Sequence, residues 1–129
     1  MSTSACAVLI VEDDEPTRSL LCAIVARNGM RPVQAGDGRS AQALLSEAAF
    51  GAVLLDLLLP EISGVEILAD LSANLPHVLE RVIVVTAAVE PDFLARIEVK
   101  RPHAVIRKPF NVKELEREML ACCRKERPR

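Results

Sequence analysis

The sequence predicts an α/β fold: a doubly wound five-stranded parallel sheet flanked by five helices. Two observations lead there. Short apolar, β-branched runs alternate five times with stretches whose apolar residues recur at helical spacing. The first run and others like it are apolar at every position, as suits strands covered on both faces. With 129 residues, 50% of them hydrophobic, the chain is also long enough for one domain with one sizeable core.

Taken in order, Ala7–Val11 is too short for a helix and forms the first strand. Pro16 fits the first turn of a helix whose Leu20, Leu21, Ile24 and Val25 share a face. Asn28-Gly29 ends that helix, because glycine takes the left-handed position past a helix end cheaply. Residues 32–35 form a weaker second strand, with Pro32 tolerable only at its start. Residues 40–49 form a second helix with Ala41, Leu44, Leu45 and Ala48 on one side, and Asp37-Gly38 before it reads as a turn. Residues 52–56 are a buried strand ending in a carboxylate. A loop over 57–64 follows, in which Pro60 supplies a rigid turn and Gly64 a permissive backbone position. Residues 65–73 are a third helix and 81–86 a strand ending in a hydroxyl. Residues 91–100 form a weakly amphipathic helix, and Ala104–Arg107 the last strand. Asn111 caps a final helix running to Cys123 with Leu115, Met119 and Leu120 inward, and Phe110 reads as core.

Composition narrows the function classes. Sixteen basic against eighteen acidic residues leave no global field for gripping nucleic acid or an anionic membrane. Five glycines, eight prolines and no repeat period argue against disordered, fibrous and solenoid chains. The stretch 5–11 lacks a basic leader and is not read as a signal peptide, and no uncharged run approaches the ~18 residues a membrane helix needs. Cys6, Cys22, Cys122 and Cys123 form no C-x-x-C, and with His77 and His103 isolated they offer no zinc spacing. All four are expected to be reduced thiols in a cytoplasmic protein, most packed as small hydrophobes. The expected organisation is one domain over 1–129, with its core at about 5–123 and a basic tail at 124–129. The tail lacks aromatics and reads as a solvated end rather than a nucleic-acid arm.

In open parallel sheets, chemistry gathers beyond the carboxyl ends of the strands. Here the first strand runs into Glu12-Asp13-Asp14, the third ends at Asp56, the fourth at Thr86 and the fifth at Lys108-Pro109. Alone, Thr86 would be an ordinary strand residue and Lys108 a solvated charge. Asp14 reads better as a helix-start residue beside the N-terminal dipole than as a further ligand. Together they bring carboxylates, a hydroxyl and an ammonium to one edge. Stability gives no reason to end two central strands in an acid.

This constellation resembles the receiver domain of two-component response regulators over essentially the whole chain. The carriers are Val8-Leu-Ile-Val-Glu-Asp-Asp14, Asp56-Leu-Leu-Leu-Pro-Glu-Ile-Ser-Gly64, Val84-Val-Thr-Ala87 and Arg107-Lys-Pro-Phe110. The resemblance implies the flavodoxin-like strand order 2-1-3-4-5. It implies Asp56 as phosphoacceptor, forming an acyl phosphate with a phosphoryl group from a histidine kinase or histidine-phosphotransfer protein. Thr86 and Lys108 would then address phosphoryl oxygens, the backbone carbonyl of Leu58 would be a metal ligand, and a cis Lys108-Pro109 peptide would aim the lysine. The chemistry agrees: Glu12 and Asp13 beside Asp56 make an all-oxygen cluster suited to Mg²⁺. Oriented donors and a metal stabilise the spread charge of phosphoryl transfer. A receiver is a regulatory module rather than an enzyme, although by resemblance it accelerates its own phosphorylation and hydrolysis. It would signal through a downstream protein target or output domain, contacting neither nucleic acid nor membrane. A homodimer through the helix at 91–100, the last strand and the last helix is a further implication.

Three departures from the family pattern stand out. Receivers usually carry Tyr or Phe three residues before the lysine, and here that position is Val105. Two residues past the acceptor and the threonine stand Leu58 and Ala88, neither able to orient an attacking water, so a long-lived acyl phosphate is expected. Six residues after the last helix are too few for an output domain. The chain is thus either a stand-alone receiver or a piece of a longer regulator. The rival readings are a binding-only pseudo-receiver, an aspartyl-phosphate phosphohydrolase and a flavodoxin-type cofactor carrier. The phosphohydrolase lacks support because Leu58 stands where a second aspartate would follow Asp56, and the carrier lacks a phosphate loop after the first strand.

Overall fold

The computed structural model describes residues 6–88 and 90–125. Residue 5 and positions 126–129 of the expected tail lie outside the described residues. The elements are β1 (Ala7–Val11), α1 (Glu15–Arg27), β2 (Arg31–Ala35), α2 (Gly38–Glu47), β3 (Ala52–Leu55) and α3 (Gly64–Asn74). After them come α4 (Pro76–Leu79), β4 (Val82–Thr86), α5 (Pro91–Val99), β5 (Ala104–Arg107) and α6 (Val112–Cys123). All strand pairs are parallel, in the expected order β2-β1-β3-β4-β5.

Period-two alternation sorts the strand residues between two apolar layers. Val8 and Ile10 of β1, Leu54 of β3, and Ile83 and Val85 of β4 pack with Leu21, Ile24 and Val25 of α1 and Leu115 and Met119 of α6. Their neighbours Leu9, Val11, Val53, Leu55, Val82 and Val84 pack on the other face with Leu45 of α2, Leu68 of α3, Leu79 of α4 and Ile97 of α5. The central strands β1, β3 and β4 are buried at every position, which explains their uninterrupted apolar runs. Strand β2 pairs only with β1 and so tolerates Pro32, whose ring nitrogen has no hydrogen to donate.

The structure corrects the sequence reading at several points. The described residues form six helices rather than five, because Pro76–Leu79 makes one extra turn between α3 and β4. A helix so short carries no periodicity to read. Asp37-Gly38 is not a free-standing turn: the Asp37 carboxylate caps α2 by accepting from the Ser40 N–H at 2.8 Å, and Gly38 is its first residue. Strand β3 stops at Leu55, leaving Asp56 just beyond it, and β2 starts one residue earlier than expected, at Arg31. The cysteines are not all free. Cys6 and Cys123 form a disulfide with Cα atoms 6.0 Å apart, while Cys22 and Cys122 remain thiols. These two residues are 117 apart in sequence, and only the docking of α6 beside the start of β1 brings them together. Gly51 makes room, since a Cβ there would strike the Cys6 sulfur and crowd that of Cys123. Among the described residues no helix is long and apolar enough to cross a membrane.

Candidate functional site

Backbone hydrogen bonding sets the carboxyl edge. The Asp56 N–H donates to the Val11 carbonyl at 3.0 Å and the Glu12 N–H to the Ala35 carbonyl at 3.1 Å, so both acids leave the sheet side by side. On the far side, the Lys108 N–H donates to the Thr86 carbonyl at 2.8 Å, which holds the start of the Lys108-Pro109 segment against β4. That peptide bond is cis, as the resemblance implied.

Four of the expected residues meet. Glu12, Asp13 and Asp56 each offer a carboxylate oxygen within 4.8 Å of the others, a set that could hold a metal ion. Glu12 and Asp56 are buried, whereas Asp13 is exposed. The Lys108 ammonium lies between the two buried acids, donating to Glu12 Oε1 at 2.6 Å and to Asp56 Oδ2 at 3.4 Å. Burial by itself would lower the Lys108 pKa, but the hydrogen bond from Lys108 to Glu12 and the charge on Asp56 outweigh it and raise the value above that of an ordinary lysine. One ammonium faces three carboxylates, so the cluster keeps an excess of negative charge that suits a hard divalent cation.

The remaining expected residues take more specific places. Thr86 is fully buried at the end of β4, and its hydroxyl accepts from the Ala88 N–H at 3.2 Å. The Leu58 N–H donates to Asp56 Oδ1 at 3.1 Å, bending the loop over the carboxylate, while its side chain is 56% exposed. Asp14 lies outside the cluster as the N-cap of α1. It accepts from the Thr17 backbone and side chain, and those bonds hold its carboxyl below the usual range. Val105 is half-buried, in register with Val84 and packed against the α3 and α5 layer.

Three contributors have roles that the sequence reading did not assign to them. Gly64 is needed for close approach rather than for unusual dihedrals. A Cβ there would run into the Asp56 carbonyl and the Leu57 Cα, so only glycine lets α3 start against the loop that follows Asp56. The left-handed position in that loop belongs to Glu61, at φ 62°. Arg18 donates to the Glu12 carbonyl at 2.9 Å and to Gln34 at 3.1 Å, pinning the acidic turn to β2. Phe93 joins Leu58, Ala87, Ala88 and Glu90 around a cavity of about 380 Å³. Nothing in the amphipathic pattern of α5 separates Phe93 from an ordinary core residue.

The fold and this edge define a class: a parallel α/β domain presenting an acidic, lysine-bridged oxygen site at the carboxyl ends of its strands. Comparison with known proteins makes the class specific. Residues 8–120 match the family model for the response regulator receiver domain, and the chain belongs to that family. It is 33% identical over 121 residues, 94% of this chain, to the phosphate regulon transcriptional regulatory protein PhoB of Escherichia coli, of which that stretch covers 53%. It is 32% identical over 118 residues to the sensor histidine kinase AruS of Pseudomonas aeruginosa, covering 90% of this chain and 12% of that protein. The chain therefore spans about half or less of these curated relatives. Among solved structures, the receiver domain of the Francisella response regulator 1452 superposes with a TM-score of 0.84 at 20% identity. The overlap covers 92% of this chain and 97% of that one, a likeness of fold.

Proposed function

We propose that this chain is a phosphoacceptor receiver in which Asp56 takes a phosphoryl group from a histidine kinase or a histidine-phosphotransfer protein. The observation that carries the reading is Lys108 bridging Glu12 and Asp56 beside the buried Thr86 hydroxyl. An Asp56 carboxylate oxygen attacks phosphorus, a P–O bond forms, and the P–N bond to the donor imidazole breaks, the imidazole leaving with a proton. Lys108 loosens from the acids to pair with a phosphoryl oxygen, and the Thr86 hydroxyl turns from the Ala88 N–H to donate to another. Glu12, Asp13, Asp56 and the Leu58 carbonyl would hold Mg²⁺, which when bound supplies charge neutralisation between carboxylate and phosphoryl oxygens. Relatives of which such a domain is about half or less, a transcriptional regulatory protein and a sensor histidine kinase, support a regulatory role, read out by an output domain or a separate protein target; a cytoplasmic location belongs to the same reading. The α5–β5–α6 face is the place for a homodimer.

Incubating the protein with Mg²⁺ and acetyl phosphate and recording its intact mass tests the reading. A single phosphoryl addition that disappears with EDTA and in Asp56→Asn is expected. Val105 in place of an aromatic favours a second reading, the binding-only pseudo-receiver, and no addition from acetyl phosphate or kinases would select it. The cavity at the mouth is walled by Leu58, Ala87, Ala88, Glu90 and Phe93, and the positions two residues past Asp56 and Thr86, Leu58 and Ala88, carry no polar side chain to orient a water. Slow hydrolysis follows, and Leu58→Asn with Ala88→Glu should shorten the acyl-phosphate lifetime about tenfold or more.

A further inference from the structure

We propose that the groove between α3 and α5 docks an acidic amphipathic segment of a partner protein, and that Phe93 ties its occupancy to the state of Asp56. The second part rests on the phosphoacceptor reading; the first does not. Val65 and Ala69 of α3 face Phe93, Ile97 and Val99 of α5 across an open cavity of about 460 Å³, large enough for bulky side chains. Val99 at its lip is 79% exposed, an apolar side chain held in water beside a ready-made concavity.

Charge selects the occupant. The groove is lined by two cations, Arg96 and Lys100, and by no acid. The Arg96 guanidinium lies 6.0 Å from the centre of the Phe93 ring, so part of its hydration is already replaced by an aromatic face. A segment with large apolar residues on one side and glutamates beside them satisfies both features. A second copy of this chain does not. Besides Val99 itself and Leu58 in the loop after Asp56, its large exposed apolar side chain among the described residues is Leu20, on a helix whose charges are Arg18 and Arg27 against Glu15, so it lacks the flanking glutamates.

Phe93 also walls the smaller cavity at the mouth of the site, together with Leu58, Ala87 and Ala88. The Ala88 N–H is the group that the Thr86 hydroxyl now accepts from. If Thr86 turns toward a phosphoryl group, Ala88 loses that partner and the wall against the Phe93 ring shifts. An aromatic on α5 thereby supplies a coupling that Val105 on β5 cannot.

The test is an NMR titration of the full chain with a short helical peptide bearing leucine and phenylalanine on one face and glutamate on the other. A version with lysine for glutamate serves as control. Amide shifts centred on Val65, Ala69, Phe93 and Val99, at least tenfold weaker for the lysine peptide and in Arg96→Glu/Lys100→Glu, are expected. Val99→Asp, a surface change that spares the core, should weaken binding by a similar factor while the remaining spectrum stays folded. Shifts centred on the α5–β5–α6 face, equal binding of both peptides, or the same shifts on raising protein concentration alone would overturn the docking proposal. Beryllofluoride with Mg²⁺ mimics the phosphoryl group, and peptide affinity should then change at least threefold, a response lost in Phe93→Leu. Equal affinity with and without beryllofluoride overturns the coupling. Failure of beryllofluoride to perturb Asp56 overturns the phosphoacceptor reading and the coupling with it, leaving the docking part judged by the peptides alone.

Discussion

At the carboxyl edge of the sheet, three carboxylates cluster and a single ammonium bridges two of them; at the amino edge, a buried arginine donates to carbonyls and a disulfide joins the start of β1 to the end of α6. Arg81 is 8% exposed and donates from Nη1 to the Gly51 carbonyl at 3.2 Å and the Cys122 carbonyl at 3.1 Å. The Cys122 thiol lies over the Arg81 carbonyl, and burial pushes its pKa up to about 11, so it packs as a small hydrophobe. The disulfide and the Arg81–Cys122 contacts tie α6 to the starts of β1 and β4, and Arg81 also holds Gly51. The carboxyl edge is left under-compensated, with buried acids and room for a cation. The contrast teaches that stability and chemistry are held apart, so that charge can change at one edge without loosening the other.

Perturbing the amino edge should therefore move stability and spare phosphoryl uptake. The largest effect is expected from the disulfide. Closing a loop of this length stabilises by ~4–5 kcal/mol in the chain-entropy view, and Cys123→Ser or reduction should lower the unfolding free energy by most of that. Denaturant curves with and without reductant measure it, and identical midpoints would remove the covalent staple from the picture. Next, Arg81→Met leaves carbonyls without their charged donor and should cost about 2–4 kcal/mol, read as a lower urea midpoint. Phosphoryl uptake per folded molecule should stay at the wild-type rate in both.

Gly64→Ala is the change that ought to break the separation. The added methyl meets backbone rather than a flexible side chain, so α3 must retreat from the loop that follows Asp56. A loss of about 1–3 kcal/mol and uptake at least tenfold slower are expected together. Stability lost with uptake intact would show that this contact does not position Asp56.

The smallest effect concerns pH. Burial, and secondarily the charge of Lys125, lower the His103 pKa below 6.5 against the opposing pull of Glu118. The native state thus binds this proton less readily than the unfolded chain. Its contribution to stability is complete above pH 6.5 and declines as pH falls through the native pKa. His103→Gln should flatten that part of the stability profile, and an unchanged slope would assign it to other groups.

Much of this was legible in the chain. The all-apolar runs of β1, β3 and β4 could only be strands covered on both sides, and acids at two strand ends marked the edge where the candidate site lies. Asp14 and Asn111 were readable as helix-start residues because capping is local, three residues from carboxylate or amide to backbone N–H. Other features were not. The turn of α4 has no period, Asp37 looked like any turn aspartate until α2 was seen to begin behind it, and four scattered cysteines gave no pairing.

What the sequence determined by itself is therefore whatever depends on residues close in the chain: strand and helix identity, caps, and the order in which chemical groups reach the edge. The tertiary structure alone decided the lysine bridge between Glu12 and Asp56, across 96 and 52 residues, and the meeting of Cys6 with Cys123. It also decided the need for glycine at 64 and the double duty of Phe93. The reason is physical. Local preferences act over a few bonds, whereas these contacts exist only after burial of two apolar layers has set strand against strand and helix against sheet.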